Sequence, residues 1–228
     1  MDPLHIRTPL LRSEPLSGFS GTSIWLKMEA LQPSGSFKIR GIGLACSERI
    51  RQGARSLVSS SGGNAGIAVA YSGDQLGVPV TVVVPATTTD TARERIRSHG
   101  AEVIVEGSSW NEAHEHALAL AGDGDAYIHP FDDPLIWRGH STLIDEIAES
   151  GLEPDVIVTS VGGAGLLCGI LEGLHRNSWE HIPVIAVETQ GADSLHQAVE
   201  SGRLVELAAI TSIATSLGSK RVCARALR

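Results

Sequence analysis

The segment SLVSSSGGNAGIAVAYSGDQLGVPVTVVV, Ser56 to Val84, decides the fold. Ser56–Ser60 reads as a short strand. Gly66–Leu76 reads as a helix, stopped by Gly77 and Pro79. Val80–Val84 is continuously apolar, as a strand buried on both faces requires. Strand, helix and buried strand in succession make a unit of a parallel sheet, and the chain repeats the pattern downstream. A helix is expected over Thr89–His99, a strand over Glu102–Val105, a helix over Ser109–Ala121 and a shorter strand over Ala126–His129. Phe131–Trp137 is rich in Asp and Pro and reads as a connection, with Asp132 and Asp133 as a turn and helix-start device rather than an acid/base pair. A helix from about Gly139 to Glu149, a strand over Asp155–Ser160, a glycine loop at Gly162–Gly165, a helix to about His175 and a strand over Pro183–Glu188 follow. The class is α/β with a mainly parallel sheet. Lys220–Arg228 has helical character but no stop signal, so the chain reads as cut rather than finished.

Composition narrows the function classes. The chain has 228 residues, 42% of them hydrophobic, and a formal net charge of -8, which argues against a general nucleic-acid or anionic-membrane surface. No segment is apolar over the ~18 residues a membrane span needs. The stretch from Met1 to Arg12 lacks the apolar core of a signal peptide. Cys46, Cys168 and Cys223 are widely spaced and form neither a zinc-ligand pair nor a disulfide framework, so a reducing cytoplasm is the default. His114 and His116 are two apart and face different ways on a helix.

Three segments carry chemistry. Lysine is scarce, at positions 27, 38 and 220 only. Lys38 lies in QPSGSFKIRG, Gln32 to Gly41, where Pro33, Ser34 and Gly35 make a turn and Ser34 or Ser36 is a candidate helix cap. A lysine in that first turn feels the positive end of the helix dipole, which disfavours its ammonium form. A neutral amine is what addition to an aldehyde needs. The second segment is Val58–Gly66, where small residues between strand and helix let a ligand approach the backbone and hydroxyls and free amides suit a carboxylate. A plain Ser/Asn cap on a tight turn accounts for it equally well. The third is Thr159–Leu166, whose glycine-rich start to a helix suits a phosphate. Its competitor is a dinucleotide loop, with Gly163-Ala164-Gly165 as the fingerprint and Glu188 as the ribose-binding acid, although Cys168 stands where the third glycine belongs.

Together with Thr8-Pro9-Leu10, Trp25–Glu29, Phe131–Trp137 and Thr211–Ala214, these segments resemble the serine/threonine dehydratase family of pyridoxal-phosphate (PLP) enzymes, and within it the serine dehydratases. The resemblance implies the tryptophan synthase β-subunit-like fold, PLP fold type II, with two open, twisted, mainly parallel α/β domains. A large cofactor-binding domain would comprise residues 1–38 and 139–228, and a small one residues 39–138. It implies that Lys38 bonds the cofactor and later shuttles the α-proton, that Phe37 packs against the ring and that Asn64 bonds the ring oxygen. Gly162, Gly163, Ala164 and Gly165 would cradle the phosphate, and Ser61, Gly62, Gly63 and Asn64 would meet the substrate. Glu188 with the carbonyls of Ala192, Leu217 and Ser219 would hold a monovalent cation, K+. The implied reaction is β-elimination on serine, or on threonine, in a cytoplasmic homodimer. Threonine dehydratase, another enzyme of that fold type or an inactive truncated remnant are the alternatives. Ala65 after Asn64 fits the serine-dehydratase form better than the threonine form. Family chains continue past position 228 and supply there the partner of the pyridine nitrogen. Gly62, where many serine dehydratases have alanine, implies a roomier pocket, and Ala164 departs from an all-glycine phosphate loop at a cost only if its φ is positive.

Overall fold

A computed structural model describes residues 2–227, so Met1 and Arg228, the outermost residues of the two terminal readings, lie outside the described residues. The chain opens with β1 (Leu10–Arg12) and β2 (Trp25–Lys27), antiparallel to each other and bridged by α1 (Glu14–Ser20). Then come α2 (Lys38–Arg51), β3 (Ser56–Ser59), α3 (Asn64–Leu76), β4 (Val80–Val84), α4 (Asp90–Arg97), β5 (Glu102–Val105), α5 (Trp110–Leu120) and β6 (Asp125–Tyr127). The four strands β3 to β6 form one parallel sheet in the order β5-β4-β3-β6. Its centre is apolar as the sequence demands, with Leu57, Val82, Val83 and Val84 buried. The second half holds α6 (Pro134–Glu149), β7 (Ile157–Ser160), α7 (Gly165–Arg176), β8 (Val184–Val187) and α8 (Ser194–Ser201), with β7 and β8 paired in parallel.

Two elements differ from expectation. Helix α6 begins at Pro134, five residues before the Gly139 expected, because Asp133 accepts from the Leu135 amide at 2.8 Å and Pro134 stands in the first turn, where a missing N–H costs nothing. The Asp-Pro pair therefore starts the helix, and the acidic pair is a helix-start device as read. Among residues 220–227 only a 3-10 turn, Ala224–Leu227, is helical.

Glycines let the helices approach. A Cβ at Gly41 would stand 2.5 Å from the Ile136 carbonyl oxygen, and one at Gly139 would stand 2.6 Å from Gly41 Cα. On the other side of α6, a Cβ at Gly169 or Gly173 would meet the carbonyls of Trp137 and Ser141, each at 2.8 Å. Helix α6 is thus clasped between α2 and α7, whose N-terminal ends begin at Lys38 and at the glycine loop. One core lies between α2, α3 and the four-stranded sheet, around Ile39, Ile42, Leu57, Ala68 and Val82. Another lies between α6 and α7, around Ile144, Ile147, Ile170 and Leu174. No helix of the described residues is long and apolar enough to cross a membrane.

Candidate active site

A cavity of about 1390 Å³ opens at the C-terminal ends of β3 and β7. Phe37, Lys38, the Ser61–Asn64 turn and the Gly162–Gly165 loop all line it, so the structure brings together the three segments singled out in the sequence.

Lys38 is the first residue of α2, and its Nζ donates to the Pro130 carbonyl at 2.8 Å. Burial lowers its pKa from the ordinary 10.5 to about 8. The direction is the expected one, but desolvation supplies it where the helix dipole was invoked. The expected cap fails as well. Helix α2 has no side-chain cap, and the hydroxyls of Ser34 and Ser36 are buried without a hydrogen-bond partner. Phe37 lies beside the amine, its ring centroid 5.4 Å from Nζ, with the His140 ring edge-on at 5.1 Å.

The glycine loop owes its composition to its neighbours. A Cβ at Gly162 would overlap the Leu217 carbonyl oxygen, one at Gly163 would overlap the Phe131 ring, and one at Gly165 would stand 2.7 Å from the Phe131 carbonyl. Ala164 sits among them with φ +67°, the left-handed region that favours glycine, so its methyl group is strained. On the other loop, a Cβ at Gly62 would meet Thr88 Oγ1 at 2.6 Å. The space expected to make the pocket roomier is therefore taken by Thr88.

Helix ends supply the electrostatics. Ser13, Thr89, Ser109 and Asp133 cap α1, α4, α5 and α6, and Glu188 caps α8 by accepting from the amides of Leu195 and His196 at 2.8 and 2.7 Å. The three helices that begin at the cavity, α2, α3 and α7, have no side-chain cap. Free N–H groups and the positive dipole ends of these helices face one space, which makes it receptive to anions.

A pyridoxal-phosphate dependent enzyme family model matches residues 1–228. The chain belongs to the pyridoxal-phosphate dependent enzyme family. It is 52% identical over 230 residues to the human L-serine dehydratase/L-threonine deaminase, covering 100% of this chain and 70% of that protein. It is 50% identical to human serine dehydratase-like, covering 99% of this chain and 69% of that one. The crystal structure of a fungal L-serine ammonia-lyase from Rhizomucor miehei superposes with a TM-score of 0.93 at 39% identity, over 99% of this chain and 73% of that one. This establishes fold type II with mainly parallel α/β sheets, and the chain spans about 70% of the curated relatives' length.

The residues present fit the cofactor of this family. A depressed amine stands at one wall, and uncapped helix starts offer amides to a phosphate and to a carboxylate. The dinucleotide alternative fails on Glu188, whose two carboxylate oxygens cap α8. Of the expected cation ligands, Leu217 and Ser219 line the cavity, and the Glu188 carboxylate accepts from the amides of Leu195 and His196.

Three features escaped the sequence reading. His114, read as uninformative, bonds through Nδ1 to Tyr127 Oη at 2.7 Å and stacks on Trp110 at 4.7 Å, on the cavity wall. His129 lines the same wall. Cys168 and Cys223, read as unrelated, bring their Sγ atoms to 3.4 Å although both are free. The His114–Tyr127 and Cys168–Cys223 contacts join residues 13 and 55 positions apart, which spacing does not encode.

Proposed function

We propose that this chain deaminates L-serine by PLP-dependent β-elimination, giving pyruvate and ammonia, and accepts L-threonine, giving 2-oxobutanoate. The observation that carries the reading is the buried Lys38 amine, with a pKa of about 8, on the same cavity as Ser61–Asn64 and Gly162–Gly165. Bound PLP supplies an electron sink that makes the substrate's α-proton acidic. Lys38 Nζ would hold the cofactor through its aldehyde carbon, and as a neutral amine it is placed to accept the α-proton. Phe37 packs beside the ring, and Asn64 at the start of α3 donates to the ring oxygen. The amides of Gly162, Gly163, Ala164 and Gly165 hold the phosphate. Ser61, Gly62 and Gly63 take the substrate carboxylate at the uncapped end of α3.

The reading extends to a division into a large domain, residues 1–38 and 139–228, and a small domain, residues 39–138. Separate apolar cores on the two sides of α2 and α6 support it. It extends also to a homodimer in the cytoplasm, where three free cysteines suit a reducing medium, and to K+ held by Glu188, Ala192, Leu217 and Ser219. Formation of 2-oxoacid from each amino acid, with PLP and with K+ or Na+, tests the activity. Turnover of serine, lost in Lys38→Ala, is expected; turnover unaffected by Lys38→Ala would contradict the assignment.

A further inference from the structure

We infer that His129 is a positioning residue for Lys38: its imidazole clamps the turn whose Pro130 carbonyl holds the lysine amine. The inference rests on Lys38 being the reactive amine. His129 Nδ1 accepts two backbone hydrogen bonds, from the amides of Phe131 at 3.2 Å and Asp132 at 2.8 Å. Between those residues and the imidazole lies Pro130, which has no N–H of its own, so the side chain satisfies the donors that a turn would otherwise leave free. The Pro130 carbonyl is thereby aimed at Lys38 Nζ, 2.8 Å away. The turn is fixed from its other end by Trp137, whose Nε1 donates to the Phe131 carbonyl at 2.9 Å. The Phe131 ring stands edge-on to His129 at 4.7 Å and occupies the space over Gly163. Four residues, 129 to 132, thus join the lysine to the glycine loop, and the imidazole is the one side chain of the four that bonds the turn's own amides.

The clamp requires an unprotonated Nδ1, so the neutral ring carries its proton on Nε2. Burial, with His114 and Lys38 nearby, lowers the His129 pKa to about 4, while Asp133 acts the other way. The ring is therefore neutral wherever Lys38 is reactive. Other titratable groups about the pair are Tyr127, whose ring is 6.4 Å from that of His129; His140, buried beside Phe37 and kept neutral by burial; and Asp132 of the turn itself, whose carboxyl burial raises while Arg221 lowers it.

The test reads the amine itself, without cofactor. The chain is labelled with acetic anhydride across a pH series, and the modification of Lys38 is followed by peptide mapping. The wild-type midpoint is expected at about 8. His129→Leu removes the acceptor, the turn loosens and water reaches Nζ; relief of the desolvation outweighs loss of the Pro130 carbonyl, so the midpoint rises by on the order of one pH unit, or about tenfold less neutral amine at a fixed lower pH. His129→Asn places an oxygen where Nδ1 stood and keeps the wild-type midpoint. His129→Gln carries the oxygen one bond too far and behaves like His129→Leu, which keeps the test open if the leucine variant does not fold. Folded Leu and Gln variants with the wild-type midpoint would overturn the inference, as would an Asn variant that shifts as far as they do. PLP is absent throughout, so a wild-type chain that fails to take up PLP in a separate titration, while the Leu and Gln variants show the shift, would sink the functional reading and leave the clamp standing.

Discussion

At position 164 a methyl group sits on backbone with φ +67°. A left-handed conformation costs an L-residue about 1–2 kcal/mol, so Ala164→Gly is expected to stabilise the chain by about 1 kcal/mol in urea unfolding, after loss of a small buried methyl. No gain, or a loss, would show that the loop relaxes around the methyl. The alanine was legible in the sequence, but its φ was not, because Phe131 and Leu217 set the path of the loop. The same division holds for Lys38. Pro33, Ser34 and Gly35 announced a helix start, yet the desolvation that lowers its pKa comes from burial beneath residues such as Pro130, 92 positions away. For the sign, the unfolded lysine holds its proton up to about 10.5 and the folded one up to about 8, so the unfolded state binds more protons between them. Stability should rise with pH across that window, because the penalty of the buried ammonium is fully present below it. Lys38→Met should melt higher than wild type at neutral pH and flatten the rise; a lower melting point that keeps the rise would contradict the burial argument.

Between the elements, Arg40 joins α2 to α6 and to the N-terminal segment. Its guanidinium, fully buried, bonds Glu29 at 2.7 and 2.8 Å and Glu146 at 2.7 and 2.9 Å, and Glu146 also pairs with Lys27. Burial pushes both carboxyls up, but the hydrogen bonds and charge of Arg40 more than offset it, so both lie below the ordinary 4.5. Their contribution is full above that value and is lost as pH falls through the lowered pKa of the folded state. Arg40→Leu would leave Glu146 with Lys27 and Glu29 with only the neutral donors Thr8 and Gln32, and is expected to cost about 3–5 kcal/mol in denaturant unfolding. A cost below about 1 kcal/mol would show that the network is solvated. In the sequence, strand and helix types were readable from β-branched runs and Gly/Pro stops. The start of α6 is expected at Gly139 rather than Pro134 because Asp and Pro serve connections as well as helix starts, and only the accepted Leu135 amide tells them apart. Position at a strand end likewise does not reveal that the Glu188 carboxylate accepts from the first amides of α8.

In the molecule as a whole, three uncapped helix starts meet at one cavity while the other five are capped by side chains. Alternation of strand and helix made the class legible, but the meeting of α2 with α7 across α6 depends on contacts at Gly41, Gly139, Gly169 and Gly173, glycines with no distinguishing mark in the sequence. Because these amides lie unused, an anionic ligand should bind the folded state selectively. PLP at a hundredfold excess over its Kd should add about 2.7 kcal/mol, read as a thermal shift. Lys220 also lines the cavity, while Lys27 is engaged by Glu146, so mapping the reacting amine separates Lys38 from both. The most direct measurement is borohydride reduction of the PLP-treated chain followed by peptide mapping. The tag is expected on Lys38 alone; a tag on Lys27 or Lys220, or none at excess PLP on folded protein, would contradict the account.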